Sequence, residues 1–156
     1  MFEALNLPVA ALRIRTLKNQ QQVFDVIRKK YVMLSSEEWV RQHVIHFLLT
    51  EKDFPKGLME VEKGINVFNT EKRVDILVRT NTLKPLLLVE CKAPEVRLKQ
   101  AEINQIARYQ ITLQAEYSLL TNGMKHLVMH NKNGKVVFLQ ELPGYRQLIS
   151  SPLKDK

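Results

Sequence analysis

The sequence predicts an α/β (α+β) domain: a mixed central sheet flanked by helices, in the order α-β-β-β-α-β, with an extended arm or hairpin before it and a β-hairpin after it. Three observations carry this prediction. Residues 58–93 contain three β-rich runs, "LMEVEKGINVF", "RVDILVRT" and "PLLLVECKA", separated by the turn-like "NTEK" and "NTLK". A helical apolar pattern stands on each side of these runs. The second helical segment is long enough to carry the chain across the sheet to a parallel fourth strand.

Taken in order, "ALRIRTLKNQQQVFDVI" sets Leu12, Ile14 and Val23 in alternating segments around a polar centre, the pattern of a hairpin or extended arm. In "SSEEWVRQHVIHFLLTEKDF", Ser35 and Glu38 form a capping box, and Val40, Val44, Phe47 and Leu48 recur at helical spacing. A helix is expected from about Ser36 to Glu51, with Pro55 and Gly57 closing the region. The three β-rich runs then read as a meander. In "LKQAEINQIARYQITLQ", Ile103, Ile106, Ala107 and Gln110 are spaced like the inner face of a helix. "YSLLTNG" supplies the fourth strand, and "KHLVMH" and "KVVFLQEL" flank the turn "NKNG" as a hairpin at the far end of the sheet.

The 156 residues suit one domain, 1–156, able to bury roughly two-thirds of the surface of its unfolded chain. With 24 Lys+Arg against 16 Asp+Glu, the formal charge of +8 favours an anionic partner such as nucleic acid. The single cysteine, Cys91, excludes an internal disulfide framework. No signal-peptide core and no bilayer-length apolar run occur, so a soluble, cytoplasmic chain without a membrane partner is expected.

The polar residues of the meander are placed by strand alternation. Leu86, Leu88, Glu90 and Lys92 share one side of their strand, and Leu87, Val89 and Cys91 take the other. On the preceding strand Val74, Ile76 and Val78 share a side, opposite Arg73, Asp75, Leu77 and Arg79. An antiparallel hairpin centred between residues 82 and 83 pairs position 75 with position 90 and brings Asp75 to Glu90 and Lys92. Two carboxylates suffice as protein ligands for Mg²⁺, which takes hard oxygen donors and completes its shell with water or phosphate oxygens. Such a metal acidifies a bound water and withdraws charge from a scissile phosphate, while Lys92 orients the water or neutralises developing charge. The same three residues also suit a salt-bridge cluster at a sheet edge.

These residues carry a resemblance. "RVDILV" followed by "LLLVECKAP" is similar to the Asp and Glu-x-Lys halves of the PD-(D/E)XK nuclease motif, with Val74 in place of the motif's proline. "QIARY" supplies Gln105 and Tyr109, which match the Gln-x-x-x-Tyr element of RecB-type nucleases and type I restriction subunits. At i and i+4 on a helix, these two side chains stack on one face. Together with "IRKKYVMLSSEEWVRQHVIHFLL", "EVEKGI" and "LLTNG", these stretches resemble the N-terminal nuclease domain of type I restriction enzyme R proteins over residues 24–143. The arm (1–22) and the tail (144–156) lie outside the resemblance.

The resemblance implies a restriction-endonuclease-like core and Mg²⁺-dependent cleavage of double-stranded DNA, with Mn²⁺ as a substitute ion. It assigns Asp75 and Glu90 to the metal, Lys92 to catalysis, and Gln105 and Tyr109 to supporting roles. Glu38, beside Glu37, matches the further acidic residue that many superfamily members point at the metal. No Gly-x-x-x-x-Gly-Lys-[Ser/Thr] run occurs, so restriction-modification subunits or a separate translocase are expected to supply ATP-driven movement.

Phosphate contacts are expected from Arg28, Lys29 and Lys30, from Arg97 and Lys99, from Arg108, and from Arg13 and Arg15; a solvated charged face is the alternative for each. No base-reading module is recognisable. One site cuts one strand, so a homodimer or two encounters are expected for a double-strand break. A non-catalytic DNA-binding or assembly module retaining the nuclease fold is the competing functional class. His43 and His46, and His126 and His130, lack ligand spacing for zinc.

Overall fold

The computed structural model describes residues 2–150. Its centre is a six-stranded sheet built from β4 (Met59–Val67), β5 (Thr70–Arg79), β6 (Pro85–Cys91), β7 (Tyr117–Thr121), β8 (His126–Lys132) and β9 (Lys135–Leu139), paired in that order. All neighbours are antiparallel except β6 and β7, which run parallel because α2 (Gln100–Leu113) carries the chain over the sheet between them. The expected mixed sheet and crossover are therefore present. A short 3-10 turn, Lys56–Leu58, leads into β4.

Helix α1 (Ser36–Thr50) begins where expected: Ser35 Oγ accepts a hydrogen bond from the Glu38 amide at 3.1 Å, satisfying one of the orphan donors of the first turn. Its Val40, Val44, Ile45 and Leu48 pack against Ile76, Val78, Leu87 and Val89 of the sheet. On the opposite side, Ile106 and Tyr109 of α2 pack with Val74, Leu77, Leu88 and Leu120. The result is three layers, helix, sheet and helix, with β6 at the centre and apolar on both faces. Fully burying one such aliphatic side chain is worth about 1.5–3 kcal/mol.

The hairpin register matches the expected one. Ile76↔Val89, Leu77↔Leu88 and Val78↔Leu87 pair as predicted, and a bulge between Val78 and Arg79 absorbs the turn. The side assignment on β5 needs correction. Ile76 and Val78 face α1, but Val74 joins Leu77 on the α2 side, so strict alternation breaks at Asp75. The β4 partner explains why: Val61↔Ile76 and Lys63↔Val74 pair, while Glu62 between them has φ 58° and leaves the ladder. A second correction concerns the first turn of the meander. Phe68 and Asn69, both at positive φ, form the two-residue connection, so residues 70–72 of the expected turn belong to β5. The "NKNG" turn is as expected, through Asn133 and Gly134.

The N-terminal segment takes the hairpin alternative rather than the extended arm, turning at Lys18 and Asn19, and a third strand joins it. β1 (Ile14–Leu17), β2 (Gln20–Asp25) and β3 (Lys30–Met33) form a separate antiparallel sheet. At the other end, α3 (Tyr145–Ser150) lies within the expected tail, docked by the Tyr145 amide on the Lys52 carbonyl and by Tyr145 against Phe54. Residues 151–156 of that tail lie outside the described residues. No helix among the described residues is long and apolar enough to cross a membrane.

Candidate active site

The β5–β6 ladder stops at Ile76↔Val89, and beyond that point side chains replace it. The Asp75 amide donates to Glu90 Oε1 at 3.2 Å, and Asp75 Oδ2 accepts from the Cys91 amide at 2.6 Å. Each carboxylate thus satisfies a backbone donor that the interrupted ladder would otherwise orphan. This exchange fixes both acids against rigid strands and brings them together, as the register arithmetic required. Lys92 is the first residue beyond β6, its amide held by the Thr121 carbonyl at 2.8 Å.

Arg41 dominates the surrounding electrostatics. Its guanidinium meets Asp75 Oδ1 at 2.5 Å, Glu38 Oε1 at 2.5 Å, Glu37 Oε2 at 3.0 Å and Glu62 Oε1 at 3.0 Å. Burial works against its charge, but Asp75 and Glu38 outweigh that and push its pKa up. One guanidinium does not neutralise this group. Burial first, and Asp75 second, push the Glu90 carboxyl up to about 8 from 4.5. Glu37 is raised as well, by burial and then by Asp75, with Arg41 and Lys92 opposing.

The residues fit a hard divalent cation: the donors are carboxylate oxygens, negative charge is in excess, and Glu90 holds a proton that a metal would displace. The fit extends to one or two carboxylates with water or phosphate completing the shell. Among the described residues no group of three or more His, Cys, Asp or Glu forms a metal cage. A cation approaching Asp75 Oδ1 competes with Arg41 for it.

Glu38 is placed differently from Glu37. Its two oxygens accept from Arg41, Arg28 and Gln42, so it forms the wall between the site and the N-terminal sheet. Glu37 is the α1 carboxylate whose titration responds to both Asp75 and Lys92. Gln105 and Tyr109 meet each other, Gln105 Nε2 donating to the Tyr109 hydroxyl at 3.2 Å, on the helix that packs over β6 and β7. Cys91 is buried among the α1-side core residues, and burial raises its thiol well above the usual range, which suits packing rather than nucleophilic attack.

The basic residues divide. Arg28 is committed inward, to Asp25 at 2.8 Å and Glu38 at 3.0 Å. Lys29, Lys30, Arg97, Lys99 and Arg108 are exposed. Arg97 and Lys99 line, with Lys125, a cavity of about 480 Å³ in the loop that follows Lys92.

Sequence reasoning missed Arg41, which left a signal, and Glu62, whose place depends on a turn at Phe68–Asn69 that the sequence does not announce. Arg41 stands four residues after Glu37 and three after Glu38, the spacing of facing residues on a helix. A β4–β5 hairpin centred on Phe68–Asn69 places Glu62 opposite Asp75. A non-glycine residue at positive φ within a strand costs about 1–3 kcal/mol, and such strain concentrates at functional sites.

Residues 36–143 match the family model described as the type I restriction enzyme R protein N terminus. A fragment described as an HsdR subunit of a type I restriction enzyme from Vibrio vulnificus YJ016 superposes with a TM-score of 0.56 at 20% identity, covering 74% of this chain and 25% of that one. A protein from Anabaena variabilis ATCC 29413, assigned as a nuclease of the DUF820 group, superposes with a TM-score of 0.50 at 10% identity, covering 93% of this chain and 88% of that one. No curated protein matches the chain. The chain thus spans about a quarter of the length of the Vibrio chain.

Proposed function

The chain belongs to the family of type I restriction enzyme R protein N-terminal regions, and from that premise we propose that it is a Mg²⁺-dependent endonuclease that hydrolyses phosphodiester bonds of double-stranded DNA. The observation that carries this reading is the interrupted ladder, where Asp75 and Glu90 are each anchored by a backbone amide and left with excess negative charge. Asp75 and Glu90 are the residues that would hold the ion, with Mn²⁺ able to replace Mg²⁺. When bound, the ion supplies Lewis-acid polarisation of the phosphate and a water of lowered pKa.

The chain's own residues supply the rest. Strands β5 and β6 hold the carboxylates rigidly, which a productive site requires. Lys92 stands beside Glu90 as the group that orients the attacking water and offsets charge developing on the phosphate. Gln105 and Tyr109 present a linked amide and hydroxyl from α2, and the exposed cations, including Lys29, Lys30, Arg97, Lys99 and Arg108, attract the phosphate backbone. We place its action in the cytoplasm, with restriction-modification subunits or a separate translocase as partners, and with two copies needed for a double-strand break.

One observation favours a second reading, a DNA-binding or assembly module that keeps the fold without turnover: Arg41 already engages Asp75 Oδ1. Cleavage separates the two. Linear and supercoiled DNA incubated with Mg²⁺ should be cut by the wild-type chain and left intact by Asp75→Ala and Lys92→Ala. Equal cutting by either variant would remove this site from the mechanism, and binding without cutting by the wild type would favour the second reading.

A further inference from the structure

The N-terminal sheet has two unlike faces. Val23 and Asp25 of β2 turn inward and are fully buried, whereas the other face carries Arg13, Arg15, Gln22, Phe24 and Tyr31. The cross-strand pairs Arg15↔Gln22 and Phe24↔Tyr31 set these side chains on one surface, with Gln20 at its end. Arg13 lies over the Phe24 ring at 4.0 Å, and Arg15 over the Tyr31 ring at 3.7 Å. Arg15 Nε also donates to Gln22 Oε1 at 2.8 Å.

We propose that this outer face is a docking surface for double-stranded DNA, distinct from the candidate active site. Charge complementarity selects a polyanion as the occupant. Residues 4–36 contain six cations, Arg13, Arg15, Lys18, Arg28, Lys29 and Lys30, and a single acid, Asp25, which is buried on the other face and neutralised by Arg28. Of these, Arg13 and Arg15 stand on the outer face, whereas Lys30 is the cross-strand partner of Asp25 and Arg28 turns inward, so the charges that the outer strand positions carry are both positive. A guanidinium stacked on a ring keeps its N–H edge available while losing most of its rotamer freedom in advance, so less entropy is lost when it meets a phosphate. Arg13, just before β1, and Arg15 on it stand two residues apart, about 7 Å by strand rise, a spacing suited to a polyanion.

The face is also mechanically joined to the site. Asp25 accepts from Arg28 and from Gln42, Arg28 meets Glu38, Glu38 meets Arg41, and Arg41 meets Asp75. This continuous buried chain of charges fixes the sheet against the N-terminal half of α1, so a duplex lying on the sheet is held in a defined orientation to Asp75. The choice of DNA as the polymer rests on the nuclease reading, but the surface is tested without it.

The test is fluorescence anisotropy of a labelled 30-base-pair duplex with the full chain, without divalent metal, at several salt concentrations. Arg13→Gln/Arg15→Gln should weaken binding about tenfold or more at low salt and reduce the slope of log K against log salt by about 2, one for each lost phosphate contact. Gln20→Glu, which adds an anion to the same face without touching the stacked pairs, should weaken binding in the same direction. An unchanged thermal midpoint in either variant excludes unfolding as the cause. Wild-type affinity and slope in both variants, or no binding by the wild type, would overturn the docking surface. Weakened binding in the variants, together with a wild type that never cuts, would uphold the surface and sink the nuclease reading alone.

Discussion

Replacing Glu90 by Gln should stabilise the fold in alkaline solution and leave it nearly unchanged in acid. Burial and the neighbouring Asp75 raise Glu90 to about 8 in the folded chain, against 4.5 for the free side chain. Between these values the folded chain retains a proton that the unfolded chain has released. The contribution of Glu90 to stability is therefore most favourable below pH 4.5, falls as pH rises through the window, and levels off above pH 8. At about 1.4 kcal/mol per pH unit the whole window corresponds to an upper limit of about 5 kcal/mol; the coupling to Asp75 and the remaining solvent contact reduce this to about 2–4 kcal/mol. Gln is nearly isosteric and keeps an oxygen for the Asp75 amide, but it cannot ionise. Urea denaturation of both proteins from pH 5 to pH 9 should show Glu90→Gln gaining steadily on the wild type and reaching that advantage near pH 8.5. An advantage that does not depend on pH, or a wild type more stable at pH 9, would refute the argument.

Arg41→Met should destabilise the fold by about 3–5 kcal/mol, because buried Asp75 and Glu38 lose their shared cation; chemical denaturation at pH 7 measures it, and a loss below 1 kcal/mol would contradict the network. Ser35→Ala should cost about 1 kcal/mol through the lost cap of α1, read in the same way. Leu48→Ala, on the buried face of the same helix, should cost about 2–5 kcal/mol and lower the thermal midpoint without altering DNA affinity.

What was legible in the sequence was whatever local rules decide. The cap at Ser35 and the apolar spacing of Val40, Val44 and Leu48 fix α1, and the short "NTLK" turn fixes the register that brings Asp75 to Glu90. β3 was not legible, because "RKKYVM" reads as a basic run, and its strand character comes from pairing with β2 across the turn that Asp25 organises through the amides of Ile27 and Arg28. Nor was the turn at Phe68, since an aromatic residue at positive φ gives no turn signal and is imposed by the flanking strands. The break in alternation at Asp75 had the same kind of origin: it depends on Glu62 in a neighbouring strand. The positions of Asp75, Glu90 and Lys92 were readable because they depend on one hairpin. Arg41 was overlooked because its role depends on three elements meeting.

The central claim is a divalent metal site formed by Asp75 and Glu90, and calorimetric titration with Mn²⁺ tests it without needing DNA or any other subunit. The wild-type chain should bind one ion at saturation and release close to one proton per ion at pH 7, the one held by Glu90, while Asp75→Ala should show no saturable binding. Absence of saturable binding by the wild type, or equal binding by the Asp75→Ala variant, would contradict the account.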